Sequence, residues 1–161
     1  MKKKLFLLIC LMILVIPGVV FGAGTCTQTA TPWTPIGLAY GGGYIITFTC
    51  TGDASDGSFP ATAISDANME LLSGLYLYEV VIKTGTAKPT NLWDMTMTIK
   101  SGTLDILGGT GADRGITIPE EIYPKIGSVG FAKPAYETIT LNITGNSVNS
   151  AAIVIDAIFV R

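Results

Sequence analysis

Apolar and polar residues alternate along several short stretches of the chain, which is the pattern of half-buried β-strands. In residues 44–51, isoleucine, phenylalanine and cysteine share one face and threonines share the other. The same alternation returns in residues 92–100 and 136–144. Turn residues separate these stretches about every 8–15 residues, the rhythm expected of an antiparallel all-β domain.

Two further stretches are apolar on both faces and predict strands inside a sheet rather than at its edge. Residues 75–84 form one of them, with Tyr76, Tyr78, Val80 and Ile82 expected on a common face. Residues 150–161 form the other and close the chain. A Ser-Gly turn at residues 101–102 is expected to join the strand at 92–100 to a short return strand at 104–107, forming a hairpin.

Helix signals are weak. Residues 61–73 fit a short helix or an edge strand equally well, because their apolar residues have poor helical spacing. Residues 119–123 predict one helical turn, with Pro119 at the first position and two acidic residues after it. No strand–helix–strand alternation occurs, which argues against a nucleotide-binding parallel sheet.

These patterns predict an all-β fold, a single antiparallel β-sandwich or jelly-roll-like domain over residues 44–161. Residues 24–43 are rich in threonine, proline and glycine and are interpreted as an extended N-terminal arm. About six strands are expected in all, which suits a chain of this length folded as one domain.

The first 23 residues have the three parts of a secretory signal peptide. A basic start of three lysines precedes the apolar residues 5–20, and small residues at 22–24 follow. One alternative is a retained membrane anchor, although 16 apolar residues are fewer than the ~20 of a typical span. The other is lipidation of Cys10, although bulky Ile9 precedes it. The interpretation is bacterial or phage-encoded export to the periplasm, the cell surface or the exterior.

Charge narrows the choice of partners. Removing the three signal lysines from the 10 basic residues leaves 7 against 12 acidic ones, a net charge of −5. A net negative surface repels phosphate backbones, so nucleic acid is not expected as a partner. Membrane contact is expected only through an uncleaved signal segment.

Cys26 and Cys50 are the two cysteines outside the signal segment. An even pair in an exported chain predicts a disulfide, since such bonds persist in oxidising compartments. The bond would attach the start of the arm to the first strand of the domain. Two free buried thiols are the alternative.

The chain offers little catalytic chemistry. It contains no histidine, which removes the usual general base and the usual zinc ligand. The glycine-rich residues 108–111 lack the lysine of a phosphate-binding loop. Asp53 and Asp56 suggest calcium, but an ordinary turn explains them better because the ligand spacing of an EF-hand is not met. No catalytic residue, metal ligand or cofactor is predicted.

Aromatic residues supply the candidate contacts for a ligand or a partner. Trp93 beside Asp94 has the chemistry of a sugar-stacking ring with an acid, while a core anchor at a strand end is the ordinary explanation. Trp33, Tyr123 and Tyr136 complete the set of candidate contact residues. Asp105 and Asp156 lie within apolar strand runs and are interpreted as structural, each either pointing outward or pairing with a buried partner such as Arg114.

Four segments of the chain, residues 78–84, 88–97, 104–114 and 137–143, carry a family resemblance. The most specific blocks are Pro-Thr-Asn-x-aromatic-Asp at 89–94 and Asp-Ile-Leu-Gly-Gly-x-Gly-x-Asp-Arg at 105–114. On these blocks the chain resembles a family of small proteins encoded among the structural genes of tailed bacteriophages and prophages. The resemblance implies a β-rich, virion-associated protein with no assigned activity and no catalytic residues. A signal peptide is a departure from that pattern.

Two alternative functions are therefore expected, ahead of an enzyme of unrecognised type, which a hydrolytic activity lost on changing Asp94 or Asp105 would indicate. The first is a non-enzymatic structural module that packs against copies of itself or against a larger assembly. The second is a secreted module that binds a glycan or a surface ligand through exposed aromatic residues.

Overall fold

The computed structural model describes residues 23–34, 42–99, 103–116, 119–126, 129–130 and 133–161. Residues 1–22 of the predicted signal peptide, Cys10 included, and residues 35–41 of the predicted arm lie outside the described residues, as does the Ser-Gly turn at 101–102. The elements in chain order are β1 (Thr25–Trp33), β2 (Gly43–Thr51), β3 (Thr62–Ala63), α1 (Asp66–Leu72), β4 (Tyr76–Thr84), β5 (Asp94–Ile99), β6 (Leu104–Asp105), β7 (Glu120–Ile122), β8 (Lys125–Ile126), β9 (Val129–Gly130), β10 (Lys133–Pro134), β11 (Thr140–Thr144) and β12 (Ala152–Val160).

Two antiparallel sheets pack face to face, which confirms the predicted all-β sandwich. The larger sheet has the strand order β1-β2-β12-β4-β10, and β7 also pairs with β4. The smaller sheet has the order β3-β11-β5-β6, and β8 pairs with β9 in a separate small hairpin. Every pairing among these strands is antiparallel.

The core lies between the inner faces of the two sheets, where the alternation seen in the sequence places the apolar side chains. Phe48 on β2 and Ile155 on β12 are opposite each other in the larger sheet, and both are fully buried. Met97 on β5 and Leu141 on β11 are opposite each other in the smaller sheet, and both are buried. Burial of such side chains contributes about 1.5–3 kcal/mol each before the loss of chain entropy is counted.

The prediction that Tyr76, Tyr78, Val80 and Ile82 share one face of β4 is wrong, because a β-bulge interrupts the strand. Leu77 pairs with Phe159 and Glu79 with Ile158, so Tyr78 has no partner on β12. One extra residue reverses the side-chain alternation. Leu77 and Val80 are therefore both buried, whereas Tyr76 and Tyr78 are exposed. The position of β4 between β12 and β7 confirms the prediction of a strand inside the sheet.

Residues 61–73 contain both of the alternatives that the sequence left open. A two-residue edge strand, β3, comes first, and the seven-residue helix α1 follows. Ser65 caps the helix, since its side chain accepts a hydrogen bond from the backbone N–H of Asn68. Leu72 at the last turn is buried in the core, which holds the helix against the sandwich.

The helical turn predicted at residues 119–123 is wrong, because residues 120–122 form strand β7. They pair with β4, and Ile122 lies opposite Val80 with both side chains buried. Hydrogen bonds to a neighbouring strand and burial of Ile122 outweigh the weak local helix signal of proline and glutamate.

The two aspartates interpreted as structural have structural contacts, but not with Arg114. Asp105 accepts hydrogen bonds from the backbone N–H groups of Met97, Leu107 and Gly109, at 3.2, 3.0 and 2.8 Å. These bonds hold the end of the β5–β6 hairpin. Arg114 instead forms an ion pair with Glu120, 3.2 Å between Nη1 and Oε2.

Asp156 has its own partners on the outer face of the larger sheet. It accepts a hydrogen bond from the Thr47 hydroxyl at 2.6 Å and pairs with Lys83, also at 2.6 Å. The three residues lie on the three adjacent strands β2, β12 and β4, so the contacts tie the centre of the larger sheet together.

Candidate interaction surfaces

Strand β1 is joined to the sandwich by the predicted cysteine pair, which is confirmed. Cys26 and Cys50 lie directly opposite each other on β1 and β2, with Cα atoms 4.0 Å apart and the sulfurs bonded. Cys50 is buried in the core. The pair is evidence for an oxidising, exported environment, because disulfides form and persist there.

The spacing of this pair shows which backbone groups of β1 face outward. In antiparallel pairs the Cα atoms are closer at the positions that do not exchange hydrogen bonds. Cys26 is such a position, so its N–H and C=O point away from β2. The two-residue period of a strand then gives Gln28 and Ala30 the same orientation. Strand β1 is the terminal strand of the larger sheet, and no described strand pairs with its outward side.

A side chain on the inner face holds β1 in place. The Gln28 amide nitrogen donates to the carbonyl of Ala63 at 2.8 Å. Its amide oxygen accepts from the backbone N–H of Ser65 at 3.0 Å and from the Asn68 amide at 3.1 Å. These bonds join β1 to β3 and to the start of α1. Strand β1 is therefore attached to the smaller sheet as well as to β2 in its own sheet.

The open edge of β1 is long and uncharged. It has nine residues, Thr-Cys-Thr-Gln-Thr-Ala-Thr-Pro-Trp, whereas the other terminal strands, β3, β6, β7 and β10, have two or three. Proteins protect edge strands from pairing with other chains by making them short or by placing charges on them. Strand β1 is neither short nor charged, so its first seven residues, which precede Pro32, are unprotected in this sense.

Sequence reasoning missed β1 as a strand of the sheet and treated it as part of an arm. Thr25, Thr27, Thr29 and Thr31 are exposed and alternate with partly buried residues. This alternation is visible in the sequence. It was masked because small and polar residues replace the large apolar ones that usually mark an inner face, and because Pro32 is close by.

A second surface feature is a tyrosine patch formed by Tyr76, Tyr78 and Tyr123. Their side chains are 44%, 48% and 43% exposed. The rings of Tyr78 and Tyr123 meet edge to face with centroids 6.1 Å apart. Exposed aromatic rings grouped in this way are typical of ligand and partner contacts.

Two carboxylates adjoin the tyrosine patch. The Tyr123 hydroxyl lies 3.1 Å from Glu79 and 3.2 Å from Glu121 and can donate its hydrogen to either. The hydrogen bond to Glu79, with lesser contributions from desolvation and from both negative charges, raises the pKa of Tyr123 from 10.0 to about 12. The patch therefore keeps a protonated hydroxyl between two acids at neutral pH.

The structure separates the other candidate contact residues. Trp93 is fully buried, and its Nε1–H donates to the carbonyl of Gly115 at 3.2 Å, so its ring has no exposed face. Asp94 accepts from the backbone N–H of Asp113 at 2.8 Å. Trp33 is partly buried at the end of β1, and exposed Tyr136 lines an open cleft of about 600 Å³ beside α1.

The loops that suggested metal or phosphate chemistry have local explanations. One Asp53 carboxylate oxygen accepts from the backbone N–H and the hydroxyl of Ser55, and chiefly the hydroxyl bond lowers the pKa of Asp53. In residues 108–111, a Cβ at Gly108 would come within 2.0 Å of the Lys125 carbonyl, and the φ of Gly108 is +65°. Close packing against β8 therefore requires glycine there. No group of three or more acidic, histidine or cysteine residues that could hold a metal ion occurs within the described ranges.

The described part of the chain contains no helix with the length and apolar character to cross a membrane. Comparison with known proteins gives no relative: no protein-family model matches the chain, and neither a curated protein nor a solved structure is significantly similar to it.

Proposed function

We propose that the chain is a non-enzymatic, exported structural or assembly module that acts through protein–protein contacts. The observation that carries this proposal is the open, uncharged, nine-residue edge of β1. The resemblance of four segments to small virion-associated proteins of tailed phages and prophages supports the same function.

An open strand edge selects its partner by backbone chemistry. The outward N–H and C=O groups of Cys26, Gln28 and Ala30 can be satisfied by an extended strand from another chain, which adds to the sheet. The Cys26–Cys50 bond and the Gln28 contacts hold β1 in its extended conformation before a partner arrives. A strand that is already ordered loses little conformational freedom on binding, which favours association.

Export is part of the proposal. The basic, apolar and small-residue segments of residues 1–23 support a cleaved signal peptide, and the cysteine pair supports an oxidising destination. The mature module would then begin near Gly24, directly before β1, and would assemble after crossing the membrane.

The substitution Ala30→Pro tests the proposal. It removes an outward N–H and places a ring on the open edge, while proline is tolerated at edge positions whose N–H faces solvent. We expect the isolated fold to persist and the affinity for any strand partner to fall about tenfold or more, from one lost hydrogen bond and one steric clash. Native mass spectrometry of the protein recovered from its producing cells measures this loss as a shift from larger assemblies to monomer.

The same spectra supply the control, because the loss of two hydrogens at the cysteine pair reports an intact β1–β2 connection. Circular dichroism of the recovered variant checks the rest of the fold. If the Ala30→Pro protein remains in assemblies as large as those of the unchanged chain, or if the unchanged chain is recovered only as a monomer, assembly through β1 is wrong.

The tyrosine patch favours a second candidate, a secreted module that binds a glycan or a surface ligand. Exposed aromatic rings stack on sugar faces, and the Glu79 and Glu121 carboxylates can accept hydrogen bonds from sugar hydroxyls. For this candidate, Tyr78→Ala is expected to reduce binding on a glycan array at least tenfold, whereas Tyr136→Ala, in a separate cleft, is expected to leave it unchanged. No binding by the unchanged protein on the array would count against the candidate.

A further inference from the structure

We propose that the partner at the open edge is a second copy of this chain, paired antiparallel with β1 about a two-fold axis at Gln28. This inference rests on the proposed assembly function and names its partner. The result would be one continuous sheet through two sandwiches, with the same surface contributed by each copy.

The backbone limits the register of such a pair. The axis of a two-fold antiparallel pair passes through one of two kinds of residue. Either the N–H and C=O of that residue face the partner, as at Gln28, or they face its own sheet, as at Thr29. Centring on Gln28 pairs Gln28 with itself and Cys26 with Ala30 of the partner subunit. Each of these positions has an N–H to donate and a C=O to accept. All three outward-facing residues before Pro32 are then satisfied.

Pro32 disfavours the neighbouring register. Centring on Thr29 would place Cys26 opposite Pro32 of the partner subunit, and proline has no N–H to donate. One pair of hydrogen bonds on each side of the axis would be incomplete. In the Gln28 register Pro32 lies opposite Gly24 of the partner subunit, which precedes β1, so the three central pairs remain complete.

The side chains of β1 are compatible with the Gln28 register. Thr27 lies opposite Thr29 of the partner subunit, and Thr25 lies opposite Thr31 of the partner subunit, all on the exposed face. Cross-strand threonine pairs are favourable in antiparallel sheets. The combined sheet would thus carry an unbroken set of threonines, which Thr47, Thr49 and Thr51 on β2 extend on both sides.

Charge permits a copy of the chain at this edge. Without the three signal lysines the chain has a net charge of −5, so two copies repel each other over most orientations. Strand β1 contains no charged residue, and it is the one long strand edge in the described part of the larger sheet. Two copies can therefore meet along β1 without placing like charges opposite each other.

Two double substitutions at exposed positions test both the partner and the register. In the Gln28 register, Thr27→Lys with Thr29→Lys places lysine opposite lysine twice, and Thr27→Lys with Thr29→Glu places lysine opposite glutamate twice. We expect the first variant to raise the dimer dissociation constant about tenfold and the second to stay within about threefold of the unchanged chain. Analytical ultracentrifugation of the recovered protein over a range of concentrations measures these constants.

A matched control changes charge without touching the edge. Thr86→Lys with Thr144→Lys alters two exposed threonines outside β1 and adds the same charge as the double lysine variant. Its dissociation constant is expected to match that of the unchanged chain. Because two added lysines lower the net charge of each copy from −5 to −3, net repulsion cannot explain a loss of dimer. A loss equal to that of the β1 double lysine variant would therefore show that the dimer does not form through the β1 edge.

The outcomes separate this inference from the proposed function. If the purified chain stays monomeric at all concentrations while assemblies persist in its producing cells and are lost in the Ala30→Pro variant, the edge takes a different protein and the second copy is ruled out. If the lysine–glutamate variant is as weak as the double lysine variant, the register at Gln28 is wrong. If the lysine–glutamate variant keeps the dimer and the double lysine variant loses it, the result supports both a second copy as the partner and the register at Gln28.

Discussion

Replacing Trp93 with alanine is expected to lower the free energy of unfolding by about 3–5 kcal/mol. The indole, directly before β5, is fully buried in the core, and its Nε1–H donates to the carbonyl of Gly115. Removing it leaves a large cavity and a carbonyl without its donor. Since domains of this size are stable by about 5–15 kcal/mol, the variant loses a large share of its stability.

Urea unfolding followed by far-ultraviolet circular dichroism measures this loss for Trp93→Ala. Tyr136→Ala is the matched control, because it removes an exposed aromatic side chain and is expected to change the free energy of unfolding by less than about 0.5 kcal/mol. Trp93→Phe keeps most of the packing and separates the effect of the hydrogen bond. Equal stability of the Trp93→Ala variant and the unchanged chain would show that the indole is not a core anchor.

The second large effect is expected from the cysteine pair. Replacing both Cys26 and Cys50 with serine opens a loop with a sequence separation of 24 residues. The gain in entropy of the unfolded chain is expected to lower the free energy of unfolding by roughly 3 kcal/mol. Because the bond joins β1 to β2, its one partner among the described strands, β1 is expected to lose protection from backbone hydrogen exchange before the rest of the sheet does.

Dithiothreitol provides the control for this prediction. It is expected to destabilise the unchanged chain by about the same roughly 3 kcal/mol and to have no effect on the double serine variant. The measurement is urea unfolding of both proteins with and without the reductant. A destabilised serine variant combined with an unchanged chain that is insensitive to reductant would show that side-chain packing, and not the bond, holds β1.

Local alternation was enough to predict most of the sandwich. Residues 44–51, 92–100 and 150–161 were expected to be strands, and they correspond to β2, β5 and β12. The first two stretches combine large apolar residues on one face with threonines on the other. Such a pattern has one stable solution, a strand with one face in the core, so local information suffices.

Prediction was wrong where tertiary contacts overruled local signals. The bulge at Tyr78 depends on the register between β4 and β12, which no local pattern reveals. Strand β7 forms because Ile122 meets Val80 across the sheet, although its own residues favour a helical turn. In both places the deciding energy comes from side chains far away in sequence.

The candidate surfaces also contain features that the sequence predicted and features that it did not. The cysteine pair followed from two cysteines in a chain predicted to be exported, and Tyr123 and Tyr136 were identified as candidate contacts from their residue type. The open edge of β1 and the grouping of Tyr76 and Tyr78 with Tyr123 were not predicted. Both depend on which strands are neighbours, since an edge exists only relative to the complete order of the sheet.

By itself, the sequence determined the fold class, the pairing of Cys26 with Cys50, the absence of histidine chemistry and the positions of strands β2, β4, β5, β6, β11 and β12. The periods of hydrophobicity and the residue types carry this information directly. Only the tertiary structure decided that Trp93 is a core anchor, that Tyr78 is exposed and that, among the described strands, β1 ends the larger sheet with its outward backbone groups unpaired. The physical reason is that burial and edge position are set by contacts between residues distant in sequence, whereas alternation is set by neighbours.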